Sequence, residues 1–184
     1  MIVWTDLETT GIDPADNVIL EVAVVVTDDH LNEIGMFCSL VSPGHDPNLF
    51  NTGDYICWEG HKENGLIDRL CLDYAEGGLP HRTPREVAGS ICTFFDRLGL
   101  PTEDKPPLAG STISFDRGFL GHHMPEVLSH LHYRNIDVST IRELAHRWRP
   151  DLKESEKKGA HRALADIRES IALLKFYREV KFVG

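Results

Sequence analysis

Apolar and polar positions change rhythm along the chain, and each change predicts an element. Ile2-Val3-Trp4 opens an apolar strand, and "NVILEVAVVVTD" is a nearly continuous β-branched run of the kind buried on both faces of a sheet. "EIGMFCSLV" reads as a third strand, and the polar turn around Asp28-Asp29-His30 fits an antiparallel meander. Pro, Gly and Asn between Ser42 and Gly53 predict a loop. A helix is expected from about Tyr55 to Leu72, ended by "EGGLPHRTP". Thr83, Pro84 and Glu86 then have the spacing of a capping box with proline in the first turn, starting a helix through "REVAGSICTFFDRLG". "PPLAGSTIS" predicts a buried strand, "FDRGFLGHHM" a helix and "HYRNIDVS" a last strand, while Thr140 with Glu143 is a second capping-box candidate. From about Ala163 to Phe182 the pattern is an amphipathic helix, with Leu164, Ile167, Ile171, Leu174 and Tyr177 at helical spacing. Three strands followed by strands alternating with helices predict an α/β domain, a mixed sheet flanked by helices.

At 184 residues and 41% hydrophobic content the chain is most simply one soluble domain, 1–184, with a real core. The longest apolar-rich run holds Glu21 and is too short to span a bilayer. No basic and apolar leader precedes Ile2, so a secretory signal is not expected. Cys38, Cys57, Cys71 and Cys92 form no C-x-x-C pair and read as reduced thiols of a cytoplasmic protein. A net charge of -10 argues against a protein that coats long nucleic acid, because that task needs lysine and arginine. It leaves open an enzyme whose acids hold metals and whose metals meet phosphate.

Candidate chemistry begins in "MIVWTDLETTGID". Side chains at i and i+2 of a strand share a face, so Asp6 and Glu8 would project together, where like charges repel unless a hard cation lies between them. A solvated strand end would also explain that fragment alone. Asp116 follows the strand "PPLAGSTIS", and "GAHRALAD" supplies His161 and Asp166. Five residues apart on a helix means about 140° around its axis. His161 is therefore expected in the loop or first turn after Gly159, with Asp166 inside the helix.

"DLETTG", the aspartate of "GSTISFDRGFL" and "HRALAD" resemble the three motifs of the DEDDh 3'-to-5' exonucleases, which have a ribonuclease-H-like fold. "LHYRNIDVSTIREL" resembles the signature of the oligoribonuclease family, and the resemblance runs over nearly the whole chain. It implies a ribonuclease-H-like mixed five-stranded sheet and a 3'-to-5' exoribonuclease acting on short oligoribonucleotides, dinucleotides above all. Asp6, Glu8, Asp116 and Asp166 would hold two divalent ions, Mg2+ or Mn2+, with His161 as general base. Ile12, Trp58 and Tyr133 match positions that hold the two bases, Tyr133 from the partner subunit of a homodimer. His61 is a further substrate-binding candidate. Thr112, Arg134 and Ser139 match a cap on the 5' phosphate, Thr112 standing where serine is usual. "CLDYAEGGLPHRT" has the look of an insertion with no assigned function.

Two rivals remain at this stage: a DEDDh exonuclease for single-stranded DNA, and a catalytically silent nucleic-acid-binding module. Retention of all five active-site residues argues against the second. His122, His123, His130 and His132 cluster without zinc-ligand spacing, and "KESEKKGAHR" reads as a solvated basic loop.

Overall fold

The first three strands form the expected meander: β1 (Ile2–Thr9), β2 (Ile19–Thr27) and β3 (Glu33–Leu40). The computed structural model describes residues 1–42, 58–75, 82–154 and 162–180, with the backbone alone at 58–59 and 71–75. The β2–β3 turn closes on the Asp28 carboxylate, which accepts from the backbone N–H groups of His30 and Asn32, while Leu31 takes a left-handed φ of 67°. Two short strands, β4 (Leu108–Gly110) and β5 (Asn135–Asp137), complete a sheet of order β3-β2-β1-β4-β5. β1 pairs antiparallel with β2 and parallel with β4.

Helices cover both faces of the sheet. On one face Val3, Leu7, Val22, Val24 and Val26 pack on α3 (Pro84–Leu98) and α4 (Ser114–His123) through Ile91, Phe95, Phe119 and Leu120. On the other, Trp4, Ala23, Val25 and Ala109 pack on Val138 of α6 (Val138–Trp148) and on Ile167 and Ile171 of α7 (Ala163–Glu179). Every residue of β2 is buried, which is why its sequence is continuously apolar rather than alternating. Glu154 joins α6 to α7: it accepts from Arg142 Nε at 2.8 Å and from the Tyr177 hydroxyl, with His146 Nε2 3.1 Å away.

Local signals succeeded where a side chain binds its own backbone. Thr83 and Glu86 form the capping box, Pro84 occupies the first turn, and Gly99 ends α3 with a left-handed φ of 67°. Other expectations are corrected. The single helix anticipated over 55–72 is two, α1 (Trp58–Glu63) and α2 (Leu66–Ala75), divided at Gly65, whose φ of 75° no helix accommodates. Thr140 does not cap α6. Asp137 does, accepting from the Ser139 N–H at 2.9 Å, so the helix starts three residues earlier and β5 is correspondingly short. Likewise β4 ends at Gly110, and "STIS" belongs to the turn and first residue of α4 rather than to a strand. A short α5 (Pro125–Leu128) follows α4. The expected loop from Ser42 to Gly53, the part of "EGGLPHRTP" before Arg82, and Phe182 lie wholly or largely outside the described residues.

Cys38 and Cys92 are free thiols, while Cys57 and the side chain of Cys71 lie outside the description. Among the described residues no helix is long and apolar enough to cross a membrane.

At Gly110, the last residue of β4, the chain packs closely against the central strand. A Cβ there would sit 2.9 Å from the Thr5 carbonyl oxygen and 2.8 Å from Ile113 Cδ1. Since the first of these is backbone in the central strand, Gly110→Ala is expected to destabilise the protein by about 1–3 kcal/mol, read as a melting-temperature fall of roughly 3–10 °C.

Candidate active site

Alternation along β1 decides where its acids go. Val3 and Leu7 face α3 and α4; Trp4 faces α7, and Asp6 and Glu8 continue that second face toward the strand end. Asp166 sits in the first turn of α7, directly over this end. One carboxylate oxygen from each of Asp6, Glu8 and Asp166 can be chosen so that all lie within 4.8 Å of one another. Among the described residues this is the one group of acid, histidine or cysteine side chains close enough to hold a metal ion. The histidine cluster of α4 and its surroundings builds no such site there: His123, for example, donates from Nε2 to the Asn17 carbonyl oxygen at 2.9 Å.

Asp116 joins the acids from the first turn of α4 and is 3% exposed. Its carboxyl is pushed up to about 7, chiefly by burial, against the pull of backbone N–H groups of Asp116 itself and Leu7; the Glu8 and Asp137 charges raise it further. Asp6 is held well above the ordinary carboxylate range by burial first, then by the charges of Asp116, Glu8, Asp166 and Glu21. Among the described residues, neighbouring carboxylates raise both aspartates further than burial alone. An all-oxygen carboxylate set of this kind fits hard divalent ions such as Mg2+ or Mn2+, whose charge would relieve that repulsion.

Two contacts in this region were not legible in the sequence. His61 of α1 is 4% exposed, and its Nε2–H donates to Glu8 Oε2 at 3.0 Å, so it holds a candidate metal ligand instead of standing open toward substrate. Glu21, opposite Glu8 across the β1–β2 pair, takes a two-pronged contact from Arg162, the residue before α7. A lone acid inside "VILEVAVVV" was the available signal for Glu21. Nothing in the local sequence identified its partner.

The remaining expected residues divide into two groups. Ile12 and Tyr133 are 71% and 75% exposed, and Tyr133 lies before β5 rather than in it. Arg134 lies over the Tyr133 ring, 5.6 Å from its centroid. Thr112 and Ser139 come together, their hydroxyl oxygens 3.2 Å apart, and the Thr112 and Ser139 N–H groups share Asp137 Oδ1 at 3.1 and 2.9 Å. Thr112 holds a φ of 57°, a strained conformation for a β-branched residue. Trp58 begins α1 by its backbone; its side chain, and His161 altogether, lie outside the described residues.

A profile of the Exonuclease family (RNase_T) matches residues 3–52 and 81–174. The oligoribonuclease of Colwellia psychrerythraea is 43% identical over 182 residues, 98% of this chain and 95% of that protein. A probable oligoribonuclease of Dictyostelium discoideum is 42% identical over 98% of this chain and 90% of its own length. Among solved structures, exonuclease I from Methylocaldum szegediense superposes with a TM-score of 0.67 at 22% identity, over 99% of this chain and 41% of that one. Escherichia coli exonuclease I in complex with a dT13 oligonucleotide gives 0.66 at 19% identity, over 96% of this chain and 40% of its own. The chain thus spans about two-fifths of these larger exonucleases, and the likeness carries the ribonuclease-H-like fold. With the exonuclease profile matched on both sides of α1 and α2, and oligoribonucleases aligned nearly end to end, the chain belongs to the oligoribonuclease family of exonucleases.

Proposed function

We infer that the protein is a 3'-to-5' exoribonuclease that hydrolyses short oligoribonucleotides, dinucleotides above all, to 5'-mononucleotides. The observation that carries this is the convergence of Asp6, Glu8 and Asp166 on one small volume in a chain aligned with oligoribonucleases over 98% of its length. Residues 1–184 act as one exonuclease domain. Asp6, Glu8 and Asp166 hold two divalent ions, Mg2+ or Mn2+, with Asp116 completing the second site directly or through water. Such ions, when bound, lower the pKa of water near the scissile phosphate and stabilise charge on the leaving 3' oxygen. His161 takes the proton of the attacking water, a role for which the imidazole side chain is the commonest choice. Attack forms a new P–O bond and breaks the bond from phosphorus to the 3' oxygen, releasing the 3'-terminal nucleotide as a 5'-monophosphate.

The other residues select substrate. Ile12 and Tyr133, both exposed apolar surfaces, contact bases, with Trp58 as the stacking partner. His61 contributes by fixing Glu8 beside the base pocket. Thr112, Ser139 and Arg134 cap the 5' phosphate and limit length: two hydroxyls already meet at the start of α6, and Arg134, exposed before β5, supplies a guanidinium suited to phosphate. The working unit is a homodimer in which Tyr133 completes the partner's site, acting in the cytoplasm, where free thiols such as Cys38 stay reduced. Escherichia coli exonuclease I is described in a zinc-bound complex with single-stranded DNA, which supports both a metal-held mechanism and single-stranded substrate. A single-stranded DNA preference is the reading this assignment displaces.

Incubating the protein with labelled RNA dinucleotide and Mn2+, resolved on a gel, tests the assignment directly. Mononucleotide is expected, and none in excess EDTA; turnover surviving EDTA would exclude the metal mechanism. Asp6→Asn, Glu8→Gln, Asp116→Asn and Asp166→Asn are each expected to abolish turnover, and His161→Ala to lower it roughly 10²–10⁴-fold. Metal-free stability has its own sign. Folded Asp116 keeps its proton up to about 7 while the unfolded chain releases it near 3.8, so metal-free protein loses stability as pH rises through that interval. Asp116→Asn flattens this slope in thermal melts.

If Thr112, Ser139 and Arg134 form a cap, a 5'-phosphorylated dinucleotide binds more tightly than its unphosphorylated form, and longer RNAs gain nothing further. Calorimetric titration over two to ten nucleotides decides it, since affinity rising steadily with length indicates an open groove.

The dimer is tested by subunit exchange. Asp6→Ala and Tyr133→Ala homodimers are each expected to be severely impaired. Random mixing makes half the dimers mixed, each with one intact site, so roughly one quarter of wild-type activity returns if Tyr133 serves the partner. No recovery after confirmed exchange places Tyr133 in its own subunit's site.

A further inference from the structure

Arg162 follows His161 directly in the chain and is the residue from which α7 starts. Its backbone is extended, with φ −135° and ψ 125°, and its side chain makes no cap for the helix. It reaches instead across the sheet end to Glu21, donating from Nε at 3.0 Å and from a terminal nitrogen at 2.5 Å. Glu21 also accepts from the Ala163 N–H at 3.4 Å, and Ala163 is fully buried. Glu21 is itself 7% exposed on a strand buried along its whole length. A planar guanidinium held by both oxygens of one carboxylate is fixed in orientation as well as position. The backbone of Arg162 is therefore pinned on both sides, by its own side chain and by the helix that follows. Consecutive Cα atoms are about 3.8 Å apart, so fixing Arg162 limits the reach of its chain neighbour.

We propose that the Glu21–Arg162 pair is a positioning device for His161, acting on the proton-transfer step through that histidine alone. The proposal rests on His161 being the general base inferred above. Two other roles for the pair are distinguishable: balancing charge in the acid cluster, since Glu8 lies opposite Glu21, and a phosphate contact by Arg162.

A double-mutant cycle separates these roles. Single-turnover rates and apparent dinucleotide affinity are measured with Mn2+ for wild type, Arg162→Gln, His161→Ala and the double variant, with melts and Mn2+ titrations confirming folded, metal-loaded protein. Arg162→Gln is expected to slow the wild-type reaction roughly tenfold, a cost in keeping with a misplaced catalytic group, while changing substrate affinity less than about twofold. In the His161→Ala background it is expected to cost nothing more. Arg162→Lys, which keeps charge without the two-pronged geometry, recovers only part of the rate. Glu21→Gln keeps the shape of the partner and tests the same pair should Arg162→Gln fold poorly. It too is expected to slow only enzyme that retains His161. Equal losses in both backgrounds overturn the proposal in favour of the acid cluster, and a loss confined to substrate affinity overturns it in favour of a phosphate contact. A wild-type rate from His161→Ala itself overturns the base assignment, and the positioning role falls with it, while the metal requirement stands.

Discussion

Repulsion among carboxylates at the end of β1 is the constraint around which this molecule is arranged. Asp6, Glu8 and Asp166 crowd one volume, Asp116 presses on Asp6 from α4, and the burial of both aspartates removes the water that would screen them. A group of this kind would scatter on a compliant scaffold. Here β1 is held between β2 and β4, and Trp4, wholly buried, bonds through its indole N–H to Thr27. Helices lock both faces of the sheet. The rigid sheet is what allows the acids to remain together until cations complete the site.

The acids come together by three different routes. Asp6 and Glu8 come by strand alternation, Asp116 from the first turn of α4 and Asp166 from the first turn of α7. The helix positions are favourable as well as geometrically apt, because the N-terminal end of a helix carries partial positive charge. Neighbouring side chains then restrain individual carboxylates: His61 holds Glu8, and Arg162 holds Glu21 across the strand pair. Asp6, Glu8 and Asp166 are partly buried and Asp116 is buried, whereas Ile12 and Tyr133 stand exposed.

The sequence was most legible where a residue acts within a few positions of itself. The capping box of α3 appeared as anticipated, since Thr83 and Glu86 satisfy one another's backbone without help from the rest of the fold. The three-strand meander was equally plain. Competition between adjacent signals was harder to read: Asp137 and Thr140 are both capping residues, and the earlier one won because it also receives the Thr112 N–H from the neighbouring turn. Gly65 divided a helix whose apolar spacing continued across it, because its left-handed backbone interrupts a pattern that side-chain character alone does not register.

What the sequence alone determined was the alternation that puts Asp6 and Glu8 on one face, the buried character of β2, the helix carrying Asp166, and the motifs that mark the family. These depend on period and local bonding, both written in residue order. Only the tertiary structure decided that His61 bonds Glu8, 53 positions away, and that Arg162 finds Glu21, 141 positions away. Such pairs leave no local trace, because a buried acid in a strand and an arginine before a helix are each compatible with many partners. The partner is chosen by the sheet order and by how α1 and α7 pack against it, which are properties of the whole chain.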